Sequence, residues 1–213
     1  MDSLDRALAL HEQAILTRQA GDFSGSEAHS RRALTAMEAA YGPNHPEVAH
    51  LLEVLGGTLA EMERYSEAEQ CGRRAVAILD GLADSLAGPD AEHVLLRSLQ
   101  LLGNSLREQG EYREAEVVLQ RALKRSYAFP GEPGLAAAAA NDLGILYKQT
   151  GHFDQAAALY RRALTLCEAH AGEGHRSVAI LCHNLGGVEA AAGRDEEAAL
   201  WFERATALGR AVR

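Results

Sequence analysis

Several things are scarce in this chain, and each scarcity excludes something. Aromatic residues make up 5% of its 213 residues, so platforms for stacking nucleic-acid bases are poorly supplied. Cys71, Cys167 and Cys182 are an odd number with no CxxC pair, which speaks for buried thiols in a reducing cytoplasm and against a disulfide framework. There is no run of five like charges, and 21 basic against 30 acidic residues leave a net charge of −9. That balance disfavours a nucleic-acid backbone or an anionic membrane as partner. No long uncharged apolar run is present, so no spanning helix is expected. The start, Met1 to Asp5, lacks a basic-then-apolar leader and reads as the opening of a capped helix. No HExxH, no Cys/His zinc spacing and no glycine-rich phosphate loop after a strand occurs. The expectation is therefore a chain that is not an enzyme, with no metal and no cofactor. Abundant Ala, Arg, Gly and Glu give the composition a bacterial, GC-rich cast.

What is present is repetition. A phrase of Gly-x-aromatic-x-x-small, followed six residues on by Arg-Ala, returns five times. It reads Gly21/Phe23/Ser26/Arg32/Ala33, Glu63/Tyr65/Ala68/Arg74/Ala75 and Gly110/Tyr112/Ala115/Arg121/Ala122. The last two copies are Gly151/Phe153/Ala156/Arg162/Ala163 and Gly193/Asp195/Ala198/Arg204/Ala205. Successive turn positions lie 42, 47, 41 and 42 residues apart. A period of that size marks stacked supersecondary units, hence a solenoid that presents a surface.

Each unit reads as two helices joined by a tight turn. The five prolines, Pro43, Pro46, Pro89, Pro130 and Pro133, all sit in joints. Helices are expected near 3–20, 24–40, 47–62, 66–82, 91–109, 113–127, 135–150, 154–171, 176–192 and 195–210. Ser24 with Glu27 and Ser66 with Glu69 have capping-box spacing, and Asp154 and Asp195 place carboxylates at positive helix ends. Turn glycines suit a left-handed helix end; Glu63 in that slot predicts a strained or differently shaped turn. Gly56, Gly103, Gly144 and Gly186 share one slot of the first helices, each preceded by Leu. A helical Gly costs about 1 kcal/mol against Ala, so its return four times implies a close helix crossing there. Ala68, Ala115, Ala156 and Ala198 are the facing notches. The five arginines from Arg32 to Arg204 are expected to cover neighbouring helices with their apolar stems. His45 and His175, at equivalent joints, predict a repeated capping or packing role.

The Leu-Gly, Gly-x-Tyr, Ala, Arg-Ala-Leu series resembles the tetratricopeptide repeat over essentially the whole chain. Its period of roughly 42, against the usual 34, is similar to the kinesin-light-chain-like subtype. So is the joint Gly42-Pro-Asn-His45-Pro-Glu-Val48-Ala49, echoed at Gly174-His175-Arg-Ser-Val178-Ala179. The resemblance implies an all-α, right-handed superhelical solenoid of five helix-turn-helix hairpins. One domain, 1–213, would hold repeats at about 3–42, 43–84, 90–129, 133–172 and 173–213. Gln13-Ala14 in place of Leu-Gly, and Asp195 in place of the aromatic, depart from the pattern in the terminal copies, where atypical units are expected.

In this family the first helix of each pair lines a concave groove. By phase, the inward residues are Leu8, His11, Ile15 and Arg18, then His50, Glu53, Gly57 and Ala60, then Arg97, Gln100, Asn104 and Arg107. The last two repeats contribute Ala138, Asn141, Ile145 and Lys148, and Ile180, His183, Gly187 and Ala190. Arg97, Arg107 and Lys148 gather positive charge, while the amides of Gln100, Asn104 and Asn141 can hold peptide backbone. Asn184 matches the asparagine before Leu-Gly that contacts backbone in several relatives; Val54, Leu101 and Asp142 hold that slot elsewhere. Trp201, Leu208 and Val212 form a stripe on the last helix, a candidate face for homodimerisation. The expected function is a cytoplasmic adaptor or scaffold that binds another protein through an acidic or carboxylate-bearing peptide. The alternative is a regulatory sensor whose groove takes a small molecule or signalling peptide. An enzyme would need a compact polar cluster such as His183 with Asn141 and Glu53.

Overall fold

The computed structural model describes residues 3–82, 88–129, 131–172 and 175–211, which form ten α-helices and no strand. In order these are α1 (Ser3–Gln19), α2 (Phe23–Tyr41), α3 (Pro46–Glu61), α4 (Tyr65–Gly81), α5 (Pro89–Glu108), α6 (Tyr112–Tyr127), α7 (Pro133–Gln149), α8 (Phe153–Ala171), α9 (Arg176–Ala191) and α10 (Asp195–Ala211). The ends agree with the expected ones to within two residues. Three of the first helices begin on Pro (α3, α5 and α7), whose fixed φ suits a first turn and whose missing N–H would have had no partner there.

The chain forms two compact units, Met1–Ala115 and Glu116–Arg213. The first holds the hairpins α1/α2 and α3/α4 together with α5 and the first turn of α6; the second holds the rest of α6 and the hairpins α7/α8 and α9/α10. Within each unit a hairpin packs on the next through both of its helices.

One turn geometry is used five times. In each, the backbone N–H at the turn position donates to the carbonyl three residues back, and the next N–H reaches the carbonyl five residues back. This is the paired bonding that satisfies the orphan carbonyls of a helix ending in a left-handed residue. Gly21, Gly110, Gly151 and Gly193 have φ between 75° and 84°, and Glu63 takes the same left-handed conformation at φ 58°. The Glu63 turn is thus strained as expected, but its shape is unchanged: Arg64 N–H still reaches the Leu59 carbonyl at 2.9 Å.

The two capping boxes do not form. Helix α2 starts at Phe23, one residue before the predicted serine, and its cap is Asp22, whose carboxylate accepts from the Gly25 N–H at 2.9 Å. Helix α4 follows Arg64, which makes no side-chain cap. Ser24 and Ser66 lie instead inside the first turn, because the aromatic ahead of each opens the helix. The histidine joints do cap: Nδ1 of His45 accepts from Glu47 N–H and Nδ1 of His175 from Ser177 N–H.

Packing follows the small-residue slots. A Cβ placed on Gly56 would come within 2.5 Å of the Leu101 side chain of α5, 2.9 Å of the Cys71 Cβ and 3.4 Å of the Ala68 carbonyl. On Gly144 it would meet the Tyr160 ring at 2.7 Å, and on Gly186 the Phe202 ring at 2.7 Å. The second unit's crossings are therefore filled by an aromatic ring four residues beyond the Ala notch. Tyr160 is fully buried with Ala156, Leu181, Leu185 and Val188 around it. In the first hairpin Ser26 takes the notch; its hydroxyl donates to the Ala14 carbonyl at 2.8 Å and lies 3.0 Å from the Thr58 hydroxyl, so α1, α2 and α3 meet at one buried polar point.

Arginines fasten the second helices to one another. Arg74 pairs with Glu38 at 2.6 Å, Arg204 pairs with Glu168, and the Arg162 guanidinium lies 3.8 Å over the Tyr127 ring. Charge and ring contacts supplement the stems here. Glu27 and Glu67 share Arg31 and Arg64, and Arg73 joins Glu69 to Glu114. The bond from Arg64 holds the Glu67 carboxyl below its ordinary range, and that from Arg73 does the same for Glu114.

Substituting Glu63→Gly is expected to stabilise the protein by about 0.5–1 kcal/mol. Relief of left-handed strain (about 1–2 kcal/mol) exceeds the entropy a new Gly adds to the unfolded chain (about 0.4–1 kcal/mol). Urea denaturation measures it; an unchanged or lower midpoint would mean that the Glu63 side chain contributes contacts worth as much as the strain.

Candidate functional site

The first helices of the first unit do bring together the predicted inward residues. His11 on α1 and His50 on α3 meet edge to face, with ring centroids 4.6 Å apart. Glu53, one turn along from His50, is only 6% exposed, and a carboxylate so placed needs a partner. Arg97 on α5 provides it: its Nε donates to Glu53 Oε1 at 3.0 Å and its terminal nitrogen lies 2.9 Å from the same oxygen. The Arg97 side chain keeps 46% of its surface exposed, so part of its donor fork still faces outward. Arg18 lays its guanidinium against Gly57, where a Cβ would sit 2.7 Å from it. Arg18, His50, Glu53, Glu61 and Arg97 with the apolar Ile15 and Phe23 line a cavity of about 450 Å³.

Further along α5, Arg107 is paired with Glu108 at 2.7 Å and is mostly buried. Its Nε and the Oδ1 of Asn104 are buried without a hydrogen-bond partner among the described residues. Gln100 shares their helix face at helical spacing.

In the second unit, Asn184 on α9 donates its amide N–H to Asn141 Oδ1 on α7 at 2.8 Å. The Lys148 ammonium stands over Gly187, where a Cβ would meet it at 2.7 Å. The lysine spans from α7 to α9 because no side chain blocks its way. His183 does not join this group: it is exposed and its ring lies 5.4 Å from Phe202 of α10. A cavity of about 390 Å³ opens at the N-terminal ends of α7 and α9, beneath the C-terminal turn of α8.

The stripe on α10 is turned toward its own unit. Trp201 and Leu208 are half-buried against the core formed by Tyr160, Leu181, Leu185 and Val188, and Val212 lies outside the described residues. Among the described residues no group of three or more His, Cys, Asp or Glu could hold a metal ion, and no helix is long and apolar enough to cross a membrane.

Sequence reasoning missed two partners. Helical phase puts Glu53 with the inward residues of α3, but its pairing with Arg97, 44 residues away, depends on how α3 and α5 pack. Glu189, fully buried on α9, is held by Arg161 and Arg194. The one signal for it was a Glu in an otherwise small and apolar stretch, Gly186 to Ala192.

A tetratricopeptide repeat family model matches residues 5–80, 94–169 and 135–211. No curated protein matches the chain by sequence. Among solved structures it is similar to BtubC (BKLC) from P. vanneervenii, with a TM-score of 0.75 and 23% identity over 93% of this chain and 78% of that one. A kinesin-light-chain-type protein of nearly identical TPR-like repeats from Podosopora anserina gives a TM-score of 0.74 at 19% identity, over 100% and 99% of the two chains. A Rap protein complexed with competence and sporulation factor gives a TM-score of 0.82 at 15% identity. The chain spans 99% of its own length there but 56% of that protein. At these identities the likeness is one of fold.

Burial, reinforced by the neighbouring His50 and opposed by Glu53, lowers the His11 pKa from 6.5 to about 4. Between those values the unfolded chain takes up a proton at this position and the folded chain does not, so stability falls as pH drops from 6.5 toward 4. Urea denaturation at pH 7 and pH 4.5 is expected to show a larger loss for wild type than for His11→Gln. Equal losses would place the His11 titration at its ordinary value.

Proposed function

Starting from a chain that belongs to the tetratricopeptide repeat family, we propose that it is a protein-interaction module of the adaptor kind, holding an extended peptide on its first-helix faces. The observation that carries this reading is the pair of orphaned polar atoms on α5, Asn104 Oδ1 and Arg107 Nε. Buried polar groups are nearly always bonded, so an acceptor and a charged donor without partners on one helix face suit a ligand that brings both and displaces the side chains now covering them. A peptide backbone brings an N–H to the amide and a carbonyl to the guanidinium.

Acidic character in the peptide follows from the cations. Arg18 and Arg97 line one cavity, and Arg97 keeps donors beyond those bound to Glu53. A carboxylate between them would gain charge-assisted bonds. Gln100 continues the same α5 face. In the second unit Asn141, Asn184 and Lys148 form the corresponding group of two amides and one cation. His183 lies at its margin, beside α10. Cavity and amide pair exist before binding, so little ordering of the protein opposes association.

A second reading takes support from the likeness to a Rap protein complexed with competence and sporulation factor. The occupant would then be a signalling peptide and the protein a sensor. Both readings need a peptide on the same faces.

Reversing Arg97 alone would strand the buried Glu53 charge and unfold the site, so the useful variant is Glu53→Gln/Arg97→Gln, which removes both charges together. Wild type panned against a decapeptide library is expected to enrich sequences with Asp, Glu or a free C-terminal carboxylate. The double variant, with an unchanged melting curve, is expected to bind the enriched peptides about tenfold more weakly, the loss of one charge-assisted contact. Enrichment indifferent to acidity, or affinity equal in the two proteins, would overturn the assignment.

A further inference from the structure

Two joints of this chain are built on one pattern and differ in what covers a histidine. The residues before α3 and before α9 end on His45 and His175, 130 residues apart. Both cap the helix that follows, with Nδ1 accepting from the backbone N–H two residues on, at 3.3 Å and 3.2 Å. That bond fixes the plane of each ring. At the first joint the ring face is covered: Tyr41 stacks on His45 with centroids 4.4 Å apart and planes within 16°. The residue 130 positions after Tyr41 is Ala171, which has only a methyl group to offer.

Neighbouring positions shrink in the same way. Leu8, His11 and Met37 have Ala138, Asn141 and Cys167 as their counterparts 130 residues on. All four small residues, with His175 and the exposed Ile180, line the cavity of about 390 Å³ at this joint. Where the first joint lays a half-exposed tyrosine on its histidine, the second lays no ring on His175 among the described residues.

We propose that this cavity is a binding site for an aromatic side chain of a bound peptide, which lies on His175 as Tyr41 lies on His45. The volume falls in the range of ligand pockets. Its walls are methyl groups and apolar faces, with the Asn141 amide, the Ser177 hydroxyl and the His170 imidazole among the lining groups. That composition suits a phenol or indole, which needs an apolar bed and one polar contact. None of the described lining residues is Asp, Glu, Lys or Arg, so no side chain of fixed charge selects the occupant there. The inference rests on the peptide-holding reading only for the source of the ring; the cavity and the histidine face stand without it.

The test is an NMR titration of the labelled full chain with N-acetyl-tyrosinamide, using N-acetyl-leucinamide as the control. Neither probe carries a carboxylate, so the result is independent of whether the protein selects acidic peptides. The tyrosine probe is expected to shift the His175 ring protons upfield and saturate with a Kd on the order of 1 mM. The leucine probe is expected to bind at least tenfold more weakly. Ala171→Tyr, which supplies the missing ring from within, is expected to weaken binding at least tenfold while the spectrum stays that of a folded protein. Ala138→Leu narrows the opposite wall and gives the same loss should the first variant misfold. Unmoved His175 resonances, equal binding of the two probes, or undiminished binding by both variants would overturn the proposal.

Discussion

The distance at which two helices of a hairpin cross governs this protein, and one atom sets it. Where the first helix carries Gly56, Gly144 or Gly186, the second helix lies so near that a single added Cβ would sit 2.7–2.9 Å from Cys71, Tyr160 or Phe202. Ordinary carbon contacts are 3.5–4.0 Å. A helical Gly sacrifices about 1 kcal/mol of propensity, and the packing of a buried ring such as Tyr160 against the bare backbone more than offsets it. With the hairpins held this tightly, the opposite face of each first helix is left clear of core residues. His50, Arg97, Asn141 and Lys148 can be polar there because Leu51, Leu99, Leu143 and Leu185 already fill the interior.

That division of labour separates the two faces chemically. Cations among the second helices are engaged in fastening repeats, as Arg31, Arg64, Arg73 and Arg74 show in their pairs with glutamates. Exposed pairs of this kind contribute only modestly one by one; their networks align one hairpin on the next. On the first helices the groups are less completely matched. Arg97 balances a buried glutamate and still faces outward, His11 is kept neutral by burial, and Asn104 and Arg107 retain unbonded atoms. Unbonded buried atoms also occur on the second helices, at His29, Ser30 and Tyr127, so the two sides differ in degree.

Much of this was legible in the chain itself, for identifiable reasons. Helix ends came within two residues because turn positions, prolines and apolar spacing agree, and because a left-handed turn is so restrictive that even Glu63 must adopt it. That His11, His50, Glu53 and Arg97 share a side of α1, α3 and α5 was also readable from helical spacing, and these side chains do meet. Two kinds of feature were not. Ser24 and Ser66 fit a capping box by spacing, yet the preceding aromatic starts the helix earlier, a preference set by packing between repeats. His183 shares a helix with Asn184, but one step of about 100° turns it toward Phe202 and away from Asn141. The cavity at the second histidine joint is defined by side chains that are missing, and an Ala reads as filler until Tyr41 is seen in the matching place.

The account stands or falls on the close crossing, and Gly144→Ala tests it with one methyl group. Helix propensity alone predicts that this substitution stabilises the protein by about 1 kcal/mol. A crossing limited by the Tyr160 ring predicts the opposite, a loss of about 1–3 kcal/mol from overpacking. The midpoint of urea denaturation of the full chain decides between them. A lowered midpoint is the predicted result; a raised one would contradict the claim that the glycine slot sets how these helices meet.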